Sequence, residues 1–191
     1  YTELNIGILY LLAISSLGVY GIIIAGWSSN SKYSFLGALR SAAQMVSYEL
    51  PMGLALIAVL FMTGSLKMSA IVANQVEHGW HIIYQPLGFV IFFICALAEC
   101  NRTPFDLPEA ENELNFGYHQ EYSSMKLGFY LFAEYVNIFI SSAIISSLYF
   151  GGYNLPFQHY IPLDGNWLSL LQVGFFFGKI IFFIFFFMWV R

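Results

Sequence analysis

"LNIGILYLLAISSLGVYGIIIAG", residues 4–26, carries no charged side chain and no proline. At about 1.5 Å per residue, a helix of this length covers the roughly 30 Å hydrocarbon core of a bilayer. Its apolar residues run on without alternation, unlike the dyad-patterned strands of about ten residues that build membrane barrels. The same texture returns at approximately 45–65 ("MVSYELPMGLALIAVLFMTGS"), 82–98 (containing "PLGFVIFFICALA"), 127–150 ("LGFYLFAEYVNIFISSAIISSLYF") and 167–190 (ending "FFFGKIIFFIFFFMWV"). The pattern predicts an all-α integral membrane protein: one membrane domain over 1–191 with about five transmembrane helices. Inner loops are expected at approximately 27–44 and 99–126.

Composition agrees with that reading. The chain is 59% hydrophobic and 9% charged, against about 25% charged in a soluble domain, and its mean hydropathy is +0.69. Twenty Phe, thirteen Tyr and four Trp suit lipid contact and interfacial belts. The net charge of -4 leaves no basic stripe to neutralise phosphates, which argues against nucleic acid. Cys95 and Cys100 have no metal-ligand spacing and read as small apolar fillers. No signal peptide is visible. With Tyr1 where an initiating Met would stand, we expect a processed, cropped or split chain. No internal repeat supports a transporter built from two halves.

Orientation follows from the cations. If the five helices alternate, Lys32, Arg40, Arg102, Lys126 and Arg191 fall on one side, with only Lys67 opposite and Lys179 inside the last helix. The loops 27–44 and 99–126 are therefore expected to face the bacterial cytoplasm or the mitochondrial matrix. The opposite loop, "LKMSAIVANQVEHGWHIIYQ" (66–85), reads as an interfacial helix anchored by Trp80 and Tyr84. His78 and His81 lie at i, i+3 but lack a third ligand, so no metal is expected.

Three carboxylates sit within or at the ends of apolar segments: Glu49, Glu99 and Glu134. An ionisable group there is costly unless it neutralises, pairs or meets water, which marks each as a functional candidate. Pro51 follows Glu49 closely and weakens local helix pairing. Tyr130 and Asn137, at i−4 and i+3, share a helix face with Glu134. Two readings stay open: a proton-handling trail, since clustered buried carboxyls share protons near neutral pH, or structural pairing with a cation such as Lys179. Residues 98–122, "AECNRTPFDLPEAENELNFGYHQEY", hold six of the chain's eleven carboxylates: Glu99, Asp106, Glu109, Glu111, Glu113 and Glu121. "RTPFDLP" should be extended, and Pro108 is placed to open a helical turn. The interleaved Phe105, Leu107, Leu114, Phe116 and Tyr118 point to a folded, packed loop.

"GWSSNSKYSFLGALRSAAQMVSYE" (26–49) and "AECNRTPFDLPEAENELNFGYHQEYSSM" (98–125), followed by "FAEYVN" (132–137), closely resemble subunit 1 of the membrane arm of respiratory complex I. The resemblance runs to "GKIIFFIFFFMWVR" at the end of the sequence. It implies an approximately eight-helix family fold of which the chain matches roughly the third to seventh helix. It also implies a quinone-chamber subunit of a proton-pumping NADH:quinone oxidoreductase, which makes quinone the substrate. Carried over by motif, Glu49, Glu99 and Glu134 form the proton path. Asp106, Glu109, Glu111 and Glu113 line the chamber side, and Arg102, with Arg40, orders the loop. Phe132 faces the quinone tail. No flavin, haem or iron–sulfur motif is present, so the redox centres are expected in partner subunits: cluster-bearing peripheral ones beside adjacent small membrane subunits. The expected location is the bacterial inner membrane or the mitochondrial inner membrane. Two alternatives remain: the ion-coupling subunit of a related membrane-bound hydrogenase that binds no quinone, and a structural membrane anchor.

Overall fold

The computed structural model describes residues 4–101, 105, 117–119, 121–155 and 165–190. Among them the chain is helical. Helices α1 (Gly7–Ser16) and α2 (Gly18–Ser28) form one apolar span with a tightened joint at Leu17. There the Leu17 N–H donates to the Ile14 carbonyl at 3.1 Å, while the Ser15 and Ser16 hydroxyls both bond back to the Leu12 carbonyl. Such back-bonding bends helices. Helix α3 (Lys32–Thr63) contains Pro51 and ends at Gly64, whose φ of 65° is the left-handed conformation that glycine supplies at helix ends. The outer connection holds α4 (Met68–His78) and α5 (His81–Tyr84). Helix α6 (Pro86–Glu99) opens on proline, α7 spans Met125–Tyr149, and α8 spans Gly165–Trp189.

Among the described residues, four helical segments are long and apolar enough to cross a membrane: Gly7–Ser28, Lys32–Thr63, Met125–Tyr149 and Trp167–Trp189. The chain is a multi-pass, all-α membrane protein. Large apolar side chains face outward, among them Phe61 at 85% exposure and Trp27 at 74%; lipid or neighbouring membrane helices accept that surface and water does not.

Two elements differ from the sequence reading. Residues 32–44, expected in an inner loop with a helical stretch at "LGALRSAAQ", are continuous with the second span as the first part of α3. Their Ser, Lys and Arg lower the local hydropathy, yet the small residues Gly37, Ala38 and Ser41 are buried and let other backbone approach. Helix α6 has 14 residues, about 21 Å of length, and so stops short of a full crossing. The space beneath its end is taken by the chain that follows. Phe105 packs edge-on to Tyr48 of α3 at 5.2 Å, and the 3₁₀ turn Gly117–His119 is buried against α3. Non-helical backbone at membrane depth requires such protein cover.

The core lies where α3, α6, α7 and α8 meet. Met52, Leu56 and Val59 of α3 pack with Phe92, Phe93 and Ala96 of α6, Ile145, Leu148 and Tyr149 of α7, and Phe183 and Phe187 of α8. Ring pairs join the layers, including Phe93–Phe187 and Phe150–Phe183, both at 4.9 Å.

The outer end of α7 is clamped by polar groups. Gln75 donates to the Ser147 carbonyl at 2.9 Å and accepts from the Gly151 N–H at 2.8 Å. The buried His81 ring donates from Nδ1 to the Leu148 carbonyl at 2.8 Å. Burial holds its imidazole below the usual value, an effect partly offset by that bond. Lys179 donates to the carbonyls of Phe150 at 2.6 Å, Gly152 at 2.8 Å and Asn154 at 3.4 Å. A cation at a helix C-terminus meets both orphan carbonyls and the negative end of the dipole. Lys179 is thus a cap for α7, not a partner of Glu49, Glu99 or Glu134. Lys179→Met keeps the apolar stem and removes the donors. It should cost about 1.5–3 kcal/mol, the usual contribution of hydrogen bonds to a charged group, read as a lower melting temperature of the solubilised protein.

Candidate functional site

Because α6 stops early, its last residue, Glu99, lies inside the protein, level with the middle of α3 and the first half of α7. Glu49 of α3 and Glu134 of α7 converge on the same place. All three half-buried carboxylates line one cavity of about 320 Å³. Ser15, Gly18 and Gly21 of α1–α2 form one wall, Tyr130 and Asn137 of α7 another, and Tyr118 lies toward the inner end. Side chains at Gly18 and Gly21 would meet nothing within 4 Å, so these glycines widen the space. The volume holds several water molecules.

Glu99 occupies the junction of two spaces. A void of about 20 Å³, lined by Leu12, Met52, Phe92 and Ser141, shares Ser15, Glu99 and Asn137 with the larger cavity; it fits a single water. Ser15 lines both spaces beside Glu99, and Glu49 faces the larger one. A carboxyl in this position can pass a proton between waters on its two sides.

The inner wall is built by the chain after α6. Gln44 of α3 donates through Nε2 to the Ala98 carbonyl at 3.0 Å and to the Phe105 carbonyl at 2.8 Å, which ties the end of α6 and the following loop to α3. Ser41 donates to the Asn101 side chain at 3.3 Å, where Asn101 takes a φ of 48° to end the helix. Ser34 donates to the Tyr118 carbonyl at 2.9 Å. Tyr118 and Tyr122 close over Tyr130 at 5.9 and 5.1 Å between ring centres, and the Tyr122 hydroxyl donates to the Ala25 carbonyl at 2.9 Å. Gln44→Ala would strip the donor from two carbonyls at the cavity edge. The Ala98 carbonyl keeps the Asn101 N–H at 3.2 Å, so the expected loss is about 1–3 kcal/mol for the Phe105 acceptor left dry, read as a lower melting temperature of the solubilised protein.

The structure brings Glu49, Glu99 and Glu134 together and adds Ser15, Gln44 and Tyr118, which were not singled out as site residues in the sequence. A serine in an apolar helix is ordinary, and Gln44 lies in "LGALRSAAQ", which reads as close helix packing. Arg40 is half-buried on α3 and does not line the cavity. Phe132 is 66% exposed on the outer face of α7 and does not line it either. Arg102, Asp106, Glu109, Glu111 and Glu113 lie outside the described residues.

The sequence profile described as NADH dehydrogenase matches residues 1–191. The chain belongs to the NADH dehydrogenase family. It is 58% identical over 190 residues to an NADH-quinone oxidoreductase subunit of Cytophaga hutchinsonii, covering 100% of this chain and 56% of that protein. It is 57% identical over 192 residues to the corresponding NADH-quinone oxidoreductase subunit of Flavobacterium johnsoniae, covering 100% and 55%. With NADH-quinone oxidoreductase subunit 8 of Rhodothermus marinus it shares 51% over 199 residues, covering 99% and 58%. The chain therefore spans little more than half the length of the curated relatives it matches.

Proposed function

We propose that the chain is part of the quinone-side membrane subunit of a proton-translocating NADH:quinone oxidoreductase, in which Glu49, Glu99 and Glu134 handle protons released or demanded by quinone chemistry. One observation carries this reading. Three carboxylates from three different helices share one cavity wide enough for water, and a fourth apolar helix is not needed to place them: α6 itself is cut short and so brings Glu99 to the other two. Pairing with Lys179, the cation inside the last span, loses support because its ammonium is engaged with carbonyls elsewhere.

In this account quinone is the substrate, and its head group is reduced beside the loop that carries Arg102, Asp106, Glu109, Glu111 and Glu113. Electrons come from a neighbouring cluster-bearing subunit. Charge appearing on the reduced quinone raises the proton demand of nearby carboxyls, and closely coupled carboxyls respond as a group. The bacterial relatives point to a bacterial inner membrane, with adjacent small membrane subunits completing the path.

The test compares Glu49→Gln and Glu134→Gln with Glu77→Gln, an exposed position on α4, in the complete complex reconstituted into vesicles. Quinone-linked NADH oxidation and the proton gradient should both fall in the cavity variants and stay normal in the α4 variant. Equal activity in all three, with normal assembly, overturns the proposal.

A further inference from the structure

At the opposite end of the helices lies a second cavity, of about 370 Å³, with walls from α1, α4 and α8. Its chemistry differs from that of the acidic one. Leu4, Leu11, Val72 and Phe176 make it apolar, Lys67 stands at its edge with Ser69 beside it, and no carboxylate is among its described lining residues. We propose that it binds one anionic phospholipid of the outer leaflet, with the phosphate at Lys67 and Ser69 and an acyl chain against the apolar walls.

Charge complementarity selects this occupant. Lys67 immediately precedes α4, so its ammonium adds to the positive end of that helix. The Ser65 hydroxyl takes the Lys67 N–H at 3.2 Å, which fixes the backbone and leaves the side chain to face the cavity. A basic group at the rim of an apolar slot matches an amphiphile with one negative head, and a cation near the membrane surface favours anionic over zwitterionic lipid. Leu4 and Tyr10 are about half exposed, so the slot opens sideways, where lipid chains can enter. A second protein segment of apolar character would fill the walls but leave Lys67 without a counter-charge.

The complete complex, stripped of lipid in detergent, is titrated with phosphatidylglycerol or phosphatidylcholine and the bound lipid is counted by native mass spectrometry. The wild type should retain one more phosphatidylglycerol than the Lys67→Gln variant. Its preference for phosphatidylglycerol at that site should be about fivefold, the effect of one basic residue at an anionic surface. Lys67→Arg should restore retention. Gly7→Leu should abolish it by filling the slot, since a Cβ at Gly7 already reaches Met68 at 3.6 Å. Equal retention in wild type and Lys67→Gln, equal preference for the two lipids, or retention unchanged by Gly7→Leu each overturns the proposal; the last result assigns the slot to protein.

Discussion

Glu99→Gln in the assembled oxidoreductase is expected to lower quinone-linked turnover and proton translocation together by about a hundredfold, the lower range for removing a positioned acid–base group. The effect should exceed that of Glu49→Gln or Glu134→Gln. Glutamine keeps the volume, so packing at the end of α6 survives and only the exchangeable proton is lost. Glu99 alone of the three borders both the larger cavity and the single-water void, which leaves a proton no parallel carboxyl at that junction. Glu99→Asp should recover part of the rate, because it restores the proton carrier on a shorter arm. Vesicle assays of turnover and gradient, made at matched assembly, decide the matter. A Gln variant with normal values for both would remove Glu99 from the path.

Gly26→Val is expected to have the largest effect on folding. A Cβ at Gly26 would clash with the Ala38 Cβ and stand 3.1 Å from the Ser34 carbonyl, so α2 cannot hold its place against α3 once a side chain is present. Overpacking typically costs about 1–3 kcal/mol, and a branched side chain pressed against backbone lies at the upper end. The same displacement would pull Ala25 and Ser28 away from Tyr122 and open the inner wall of the acidic cavity. The smaller change Gly26→Ala combined with Ala38→Gly should recover part of the stability, because the worst contact is between those two residues. The recovery stays partial while the Ser34 carbonyl remains. Thermal melts of the single and double variants measure the coupling directly; an additive pair of losses would show that α2 and α3 do not touch as described.

Much of this fold was legible in the sequence because bilayer burial writes itself as composition. Residues 4–26 and 167–190 could only be long apolar helices. The helical stretch "LGALRSAAQ" was legible from its small residues, but its continuity with the second span in one helix from Lys32 was not, since Lys32, Ser34 and Arg40 read as loop polarity. The brevity of the 82–98 segment was visible; its consequence was not. That a short α6 puts Glu99 inside the protein depends on where α3 and α7 stand. The three site carboxylates could be named because charge inside an apolar run is expensive and therefore conspicuous. Ser15 and Gln44 carry no such cost signal, and only their contacts reveal them. Lys179 shows the limit of charge reasoning: opposite signs suggested a glutamate partner, whereas the helix end offered three carbonyls.

The central claim is that Glu99 changes its protonation as quinone is reduced. Redox-difference infrared spectra of the complete complex, wild type against Glu99→Gln, observe that carboxyl directly. The account predicts a protonated-carboxyl band in the wild-type difference spectrum that is missing from the variant. Identical carboxyl bands in the two spectra would contradict it.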